Sequence, residues 1–310
     1  MNKYDFSSTR RAMLQGGALL AASITAAAGT AQAVGEASDP LRPQPMPAQV
    51  PAKEGIAELP GTQLFYRDTG GNGPAVVLLH PATGSALMWV YQQPAFARAG
   101  YRVIGYSRRG YYRSAPALKD DPGVAAEDLH QLIDYLGIAK FHAVSSAAGG
   151  SIAADYALAH PDRLLSLVIT SNSAGVRTGE IARLSDSLQP NGFEQMPPDF
   201  RELGPSYRAA NPEGVRQWLE LEHKATPNGL VRQRPATTIS AEKLNTIALP
   251  TLLMTGDADL YTPPSLLRLV AAQIRNSETV IVPECGHAIY WERPDVFNRV
   301  VLDFIGRHSR

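Results

Sequence analysis

The chain has 310 residues, of which 44% are hydrophobic and 19% are charged, and its formal net charge is zero. This composition can bury a large core, either as one large α/β domain or as two small ones. With no basic run and no net charge, nothing in the sequence suggests nucleic acid or an anionic membrane surface as a partner. The composition therefore favours a protein that acts on small molecules.

The N-terminal segment has the features of an export signal. The pair Arg10-Arg11 precedes a weakly apolar stretch at 18–28, and Ala31-Gln32-Ala33 offers the small residues that a signal peptidase needs. The pattern resembles a twin-arginine signal. The stretch is too short and too rich in small residues to span about 30 Å of hydrocarbon comfortably. We therefore expect residues 1–33 to be removed, a mature chain from about Val34, a periplasmic or secreted location and no stable membrane anchor.

The rest of the chain alternates between two periodicities after a Pro-rich leader at 34–54. Short apolar runs predict strands at 63–67, 75–79, 101–106, 141–145, 165–170, 251–255 and 279–282. Amphipathic stretches of helical period lie between them at 125–136, 150–159, 264–274 and 294–305. This alternation predicts an α/β core, at 55–173 and 247–310, with a mostly parallel sheet covered by helices on both faces.

One long segment interrupts the alternation. Residues 174–246 contain no convincing strand, carry seven prolines and include helical pieces such as 212–223. Because this segment enters near the C-terminal ends of the strands, where open α/β sheets bind ligands, we expect it to form a helical lid over the site.

A carboxylate and a histidine follow two successive predicted strands near the C-terminus. Asp259 comes after the strand at 251–255, and His287 follows the strand at 279–282. Side chains on neighbouring strand-end loops can meet above the sheet, where the carboxylate fixes the imidazole tautomer and stabilises its cation. The spacing predicts that Asp259 orients His287, whereas Asp257 organises the turn.

These residues, and the segment from Val144 to Gly150, resemble the α/β-hydrolase superfamily from about residue 60 to the end of the chain. The resemblance implies an eight-stranded, mostly parallel sheet with a helical lid after the sixth strand. It also implies a Gly-x-Ser-x-Gly nucleophile turn between a strand and a helix. Here that turn corresponds to Ser145-Ser146-Ala147-Ala148-Gly149, so the nucleophile position holds Ala147. Gly149 matches the second glycine, which lets strand and helix approach closely.

An alanine cannot act as a nucleophile, and three interpretations follow. In the first, which we favour because intact Asp259 and His287 have little purpose without a nucleophile, the chain is an inactivated variant of a serine hydrolase of a carboxylic ester or lactone. In the second, His287 and Asp259 act alone as a base, as in cofactor-free dioxygenases or lyases of the superfamily. In the third, the chain is a binding protein on a hydrolase scaffold. Hydrolysis of a carbon–carbon bond is the nearest enzymatic alternative to the first.

The resemblance also implies an oxyanion site made of two backbone N–H groups, those of Ala148 and Ala82. Proline at position 81 has no N–H, but the expected donor is the next residue. We expect His80 to brace this loop. The segment from Ser107 to Ser114 resembles a further loop of the superfamily, in which Arg109 and Gly110 have a supporting role.

Aromatic residues are the candidates for substrate contact. They are Trp89, Tyr111, Tyr207 and Trp218, and each could equally belong to the core. No metal-ligand spacing and no phosphate loop are present in the sequence, so no cofactor and no metal are expected. The expected partner is a small-molecule ester or lactone, and the expected protein is a monomer or a homodimer.

Overall fold

A computed structural model describes residue 39 and residues 41–177, 179–226 and 231–309. The predicted export signal at 1–33 lies outside the described residues. The strands are β1 (Lys53–Leu59), β2 (Thr62–Asp68), β3 (Ala75–Leu79), β4 (Arg102–Tyr106), β5 (Phe141–Ser146), β6 (Leu164–Thr170), β7 (Thr251–Gly256) and β8 (Ser277–Val282). The helices are α1 (Gln92–Arg98), α2 (Ala125–Tyr135), α3 (Ala148–Ala159), α4 (Gly179–Leu188), α5 (Pro198–Glu202), α6 (Pro205–Ala210), α7 (Pro212–Ala225), α8 (Ala241–Leu244), α9 (Pro264–Ala271), α10 (Ile289–Glu292) and α11 (Pro294–Arg307).

The strands form one sheet in the order β1-β2-β4-β3-β5-β6-β7-β8. The pairs β1–β2 and β2–β4 are antiparallel. The remaining neighbours, from β4 through β8, pair in parallel. The prediction of a mostly parallel, eight-stranded sheet flanked by helices is confirmed.

The central strands separate two layers of core. All residues of β3, β5 and β7 are buried, as expected of parallel strands covered on both faces. Adjacent residues of β3 point to opposite layers: Val77 belongs to the cluster that includes Leu129 of α2, and Val76 to the cluster that includes Phe297 of α11. The period of two along the strand therefore fills both faces of the sheet.

Strand β1 is a feature that the sequence patterns did not predict. It includes residues 53 and 54, which were assigned to the leader, and it is an edge strand that pairs only with β2 in the described part of the chain. Its sequence KEGIAEL carries three charges, and only Ala57 is fully buried. An edge strand of this kind lacks the apolar run and the strict alternation by which strands are recognised.

A helical insertion, defined here as residues 171–250, connects β6 to β7. Its described part contains α4 to α8 and one short 3₁₀ turn at Phe193–Gln195, and Arg234 forms an isolated bridge with Val124. Helices α4 and α7 of the insertion each have one apolar face. That the insertion acts as a lid remains a prediction. Within the described residues, no helix combines the length and apolarity required to cross a bilayer.

Candidate active site

The candidate site lies at the C-terminal edge of the parallel strands. Ala147 follows β5 directly, Asp259 follows β7 by three residues, and His287 lies in the loop between β8 and α10. Loops at this edge of an open α/β sheet are the usual place for ligands. All three residues are nearly closed off from solvent, with exposures of 7% for Ala147, 2% for Asp259 and 6% for His287.

Ala147 occupies a sharp turn with strained backbone geometry. Its φ is 48° and its ψ is −123°, a combination that L-residues other than glycine rarely adopt. Its N–H donates to the Thr170 carbonyl at 2.9 Å, and its carbonyl accepts the Gly150 N–H at 2.8 Å. A Cβ at Gly149 would lie 2.2 Å from the Leu79 carbonyl oxygen, so α3 begins in close contact with the end of β3. The strand–turn–helix geometry expected around residue 147 is therefore present.

The two serines before this turn are turned into the fold. Ser145 and Ser146 are both fully buried. The Ser145 hydroxyl donates to the Val168 carbonyl of β6 at 2.6 Å. That hydroxyl is thus held within the sheet, and residue 147 is the position at the turn itself.

Asp259 and His287 form a buried pair. His287 Nδ1 lies 2.8 Å from Asp259 Oδ1 and 2.9 Å from Oδ2. The same carboxylate accepts the N–H groups of Tyr261 and Thr262, both at 2.8 Å, and the Thr255 hydroxyl at 3.1 Å. Burial by itself raises the pKa of Asp259, but the His287 charge and these donors outweigh burial and hold the pKa below its ordinary value. Asp259 is therefore a fixed carboxylate that engages Nδ1 of His287 and not Nε2.

The imidazole of His287 is a stronger base than an ordinary histidine. Burial favours the neutral ring, but the neighbouring Asp259 carboxylate outweighs burial and raises the pKa of His287 to about 9. Glu202 and Glu292 add to the same effect. Acids from the helical insertion and from α10 therefore act on the imidazole together with Asp259.

The two predicted oxyanion donors lie at the ends of neighbouring strands. Ala148 is the first residue of α3, where a backbone N–H has no acceptor within its own helix. Ala82 lies in the loop after β3, which contains the His80 ring. Nδ1 of His80 is 2.7 Å from the Pro81 carbonyl, and Nε2 accepts the Arg108 backbone N–H at 3.2 Å. Burial and the Arg108 guanidinium hold the pKa of His80 well below its ordinary value, so this ring is a neutral brace for the loop.

The predicted supporting loop after β4 is held by a buried ion pair. Arg109 Nη2 lies 2.7 Å from Asp128 Oδ1 of α2, and Arg109 Nε lies 2.7 Å from Oδ2. Both side chains are largely buried, so this two-point contact fixes the loop geometrically.

Tyr261 is a site residue that the sequence patterns did not single out. Its ring centroid lies 4.4 Å from that of His287, while its backbone N–H donates to Asp259. On its other side the ring contacts Phe193 of the insertion at 4.8 Å. Its position two residues after Asp259 is the one signal that could have identified it.

The insertion meets the histidine loop along a close contact, which we call the seam: residues 202–204 against residues 286–292. The Glu202 carbonyl accepts the N–H groups of His287 at 2.9 Å and of Ala288 at 3.0 Å. In the other direction, the buried Glu292 carboxyl accepts the N–H groups of Gly204 and Gly286, both at 2.9 Å. The sequence patterns assigned no function to Glu292.

We expect Glu292→Ala to destabilise the fold. The change leaves the Gly204 and Gly286 N–H groups buried without their acceptor, which costs about 1–3 kcal/mol of folding stability for each group. The measurement is the free energy of unfolding in urea, compared with that of Glu180→Ala, which removes an exposed carboxylate from α4. If the free energy of unfolding falls no further than in the α4 variant, a structural role for Glu292 is contradicted.

The four aromatic residues predicted to contact substrate are all buried. Trp89, Tyr207 and Trp218 belong to the core cluster on the α11 side of the sheet, and Trp218 has no exposed surface. Tyr111 packs against the His80 ring at 4.6 Å. Their packing is that of core residues, and contact with a substrate remains a prediction for each. In the described part of the chain no group of three or more His, Cys, Asp or Glu residues is arranged to hold a metal ion.

Comparison with known proteins adds four findings. A family model described as alpha/beta hydrolase fold matches residues 74–294. The 2-hydroxy-6-oxononadienedioate/2-hydroxy-6-oxononatrienedioate hydrolase of Paraburkholderia xenovorans is 29% identical over 286 residues, which cover 82% of this chain and 93% of that protein. A solved thermophilic esterase from Thermogutta terrifontis is 25% identical with a TM-score of 0.69, covering 84% of this chain and all of that one. An enol-lactonase from Burkholderia xenovorans, 23% identical with a TM-score of 0.64 over 81% of this chain and all of that one, shares the fold.

Proposed function

Because the chain belongs to the α/β-hydrolase fold family, we propose that its site is built to hydrolyse a carboxylic ester or lactone through an acyl intermediate on residue 147. In this proposal the chain with Ala147 is the inactivated form of a serine hydrolase. The hydrolase names of its relatives support hydrolysis as the class of reaction.

The strained backbone of Ala147 is the observation that carries the proposal. Positive φ at a residue other than glycine costs of the order of 1–3 kcal/mol and persists only where the surroundings enforce it. An alanine gains nothing from this turn, whereas a serine there would have its hydroxyl raised at the strand edge, as a nucleophile requires. This geometry supports a nucleophile at residue 147, which the alanine side chain cannot supply.

With serine at position 147, the residues of the site would carry out acyl transfer in two steps. The hydroxyl oxygen attacks the carbonyl carbon, and its proton passes to His287 Nε2 while Asp259 holds the Nδ1 proton. The N–H groups of Ala82 and Ala148 stabilise the oxyanion, and the leaving alkoxide takes the proton from Nε2. Water then attacks the acyl group by the same route and releases the acid.

Local charge favours an uncharged ester or lactone over a dianionic substrate. Asp259, Glu202 and Glu292 place three buried carboxyl groups around the imidazole. The nearby guanidinium of Arg201 is already engaged by Glu194 and by the Tyr261 hydroxyl, each at 3.2 Å. A dioate such as the one named for the Paraburkholderia relative would meet acids where it needs cations. Hydrolysis of a carbon–carbon bond in an uncharged substrate stays compatible with this site.

A base-only reaction is the second candidate, and the buried His287–Asp259 pair supports it. Such an enzyme needs the imidazole but no hydroxyl, so it would be active with Ala147 in place and would lose that activity with His287→Ala. A binding protein would tolerate the histidine change and hold its ligand unchanged. Ester turnover by this chain and by its Ala147→Ser variant tests the serine-hydrolase proposal against both alternatives.

We expect the kcat/KM of the Ala147→Ser variant for an ester to rise with pH through about 9, because the pKa of His287 is raised to about 9. Only the neutral imidazole accepts the serine proton, so the protonated ring below this pH is inactive as a base. The measurement is kcat/KM from pH 6 to pH 10, with the unchanged chain as the control for hydrolysis by hydroxide. A midpoint at the ordinary pKa of histidine would contradict the acidic surroundings described for the ring.

A further inference from the structure

Glu202 is a buried acid of the helical insertion to which the reaction above gives no role. It is the last residue of α5 and is 6% exposed. In the described part of the chain its carboxyl forms no ion pair within 4.0 Å, unlike that of Glu194 on the same insertion. Burial raises the pKa of the Glu202 carboxyl, and the positive charge of His287 is the largest cause that acts in the opposite direction, so each of the two groups favours the charged form of the other.

The backbone of Glu202 fixes this acid beside the catalytic histidine. Its carbonyl accepts the N–H groups of His287 and Ala288, so the insertion and the histidine segment are joined at this residue. Two residues further along, a Cβ at Gly204 would lie 2.7 Å from the Gly286 nitrogen, which shows how closely the two backbones approach. Glu202 therefore stays beside the histidine segment only while the insertion is docked.

Several titratable and charged groups surround the imidazole, and they come from three parts of the fold. They are Asp259 and Tyr261 from the loop after β7, Glu202 from α5, with Arg201 next to it, and Glu292 from α10. Asp259 contacts Nδ1 directly, and Glu292 is occupied by the backbone N–H groups of the seam. Among these acids, Glu202 is the one that belongs to the insertion. In the described structure its carboxyl accepts no backbone N–H group.

We propose that Glu202 is a positioning residue that carries a second carboxylate to the His287 imidazole when the insertion docks, and thereby makes the base stronger in the closed site than in the open one. The consequence of this arrangement for catalysis rests on the proposed function, whereas the effect of Glu202 on the base strength of the imidazole does not. In a site shielded from water, an additional negative charge stabilises the imidazolium ion more than the same charge would in solvent. Opening the insertion removes that charge and lets the proton leave the ring.

The test is an NMR titration of the His287 imidazole in the chain as it stands, with Ala147, and in Glu202→Gln. We expect the uncharged variant to lower the pKa of His287 by about one pH unit, since the Glu202 charge now raises that pKa and a nearby opposite charge typically shifts a pKa by this much or more. Glu202→Asp keeps the charge and should restore most of the original value. Glu180→Gln, an exposed change on α4, should leave the His287 titration where it is.

A folded Glu202→Gln chain with an unchanged His287 titration would overturn the proposal. If that chain does not fold, Glu202→Met provides a second uncharged side chain of similar volume. An unchanged His287 titration in folded Glu202→Met would likewise overturn the proposal. In the Ala147→Ser background, Glu202→Gln should also move the pH profile of kcat/KM to lower pH. Because the titration needs no turnover, an inactive Ala147→Ser variant would refute the proposed function and leave the effect of Glu202 on the ring to be decided separately.

Discussion

Ala147→Ser is expected to raise the turnover of a p-nitrophenyl ester by about 10⁴- to 10⁶-fold, the scale of effect when a catalytic nucleophile is removed from a serine hydrolase. The reason is that the other parts of the site are in place. The turn at residue 147 already has φ of 48°, and His287 is already held by Asp259 at 2.8 Å. The added hydroxyl therefore requires no rearrangement of the backbone. The measurement is the steady-state rate of release of p-nitrophenol by the two purified chains.

The control is the double variant Ala147→Ser with His287→Ala. If serine acts as the nucleophile and histidine as its base, removal of the imidazole should cancel most of the gain, because the two groups act as a unit. Equal and low rates for the unchanged chain and for Ala147→Ser would refute the serine-hydrolase proposal. A high rate in the unchanged chain would favour the base-only reaction.

Asp259→Asn in the Ala147→Ser background is expected to lower kcat by about 10⁴-fold, the effect of this change in a Ser-His-Asp triad. Asparagine would present an N–H₂ group to Nδ1 or to the Tyr261 and Thr262 N–H groups that now donate to the carboxylate. The second choice sets the N–H₂ group against two N–H donors and is disfavoured. The first makes Nδ1 an acceptor and so favours the tautomer with the proton on Nε2. The ring could then no longer accept the serine proton.

Asp257→Asn is the matched control for this prediction. Asp257 lies two residues away, is exposed, and accepts the Cys285 N–H at 3.3 Å without contact to the imidazole. Its change to asparagine should cost no more than a few-fold in kcat, since an amide oxygen can accept the same N–H. A loss as large as that of Asp259→Asn would contradict the assignment of Asp259 as the acid of the site.

The parts of the site that local patterns specify could be predicted from the sequence. Asp259 and His287 each follow an apolar strand, and parallel strands bring such loops to one edge. Ala147 was assigned by its place between strand β5 and helix α3, and its backbone has the geometry of that turn. Gly149 was expected to be small because helix and strand approach closely, and its neighbour Leu79 leaves no room for a Cβ.

The parts that depend on docking of the insertion could not be predicted. Glu202 contacts the histidine segment only because the distant insertion folds against it, and no period in the sequence encodes that contact. Glu292 lies five residues after His287, yet its acceptor role depends on Gly204, 88 residues earlier in the chain. The aromatic candidates show the same difficulty: the hydrophobicity of Trp218 is equally consistent with a ligand pocket and with the core cluster where it packs.

The seam also divides the insertion into a part that is constrained and a part that can vary. A Cβ at Gly286 would lie 2.3 Å from the Gly204 nitrogen, so neither glycine tolerates a side chain without separating the two backbones. The exposed outer helices of the insertion, such as α4, carry no comparable restriction. New substrate preferences can therefore evolve, or be engineered, by exchange of those outer helices while the seam holds the His287 loop in place.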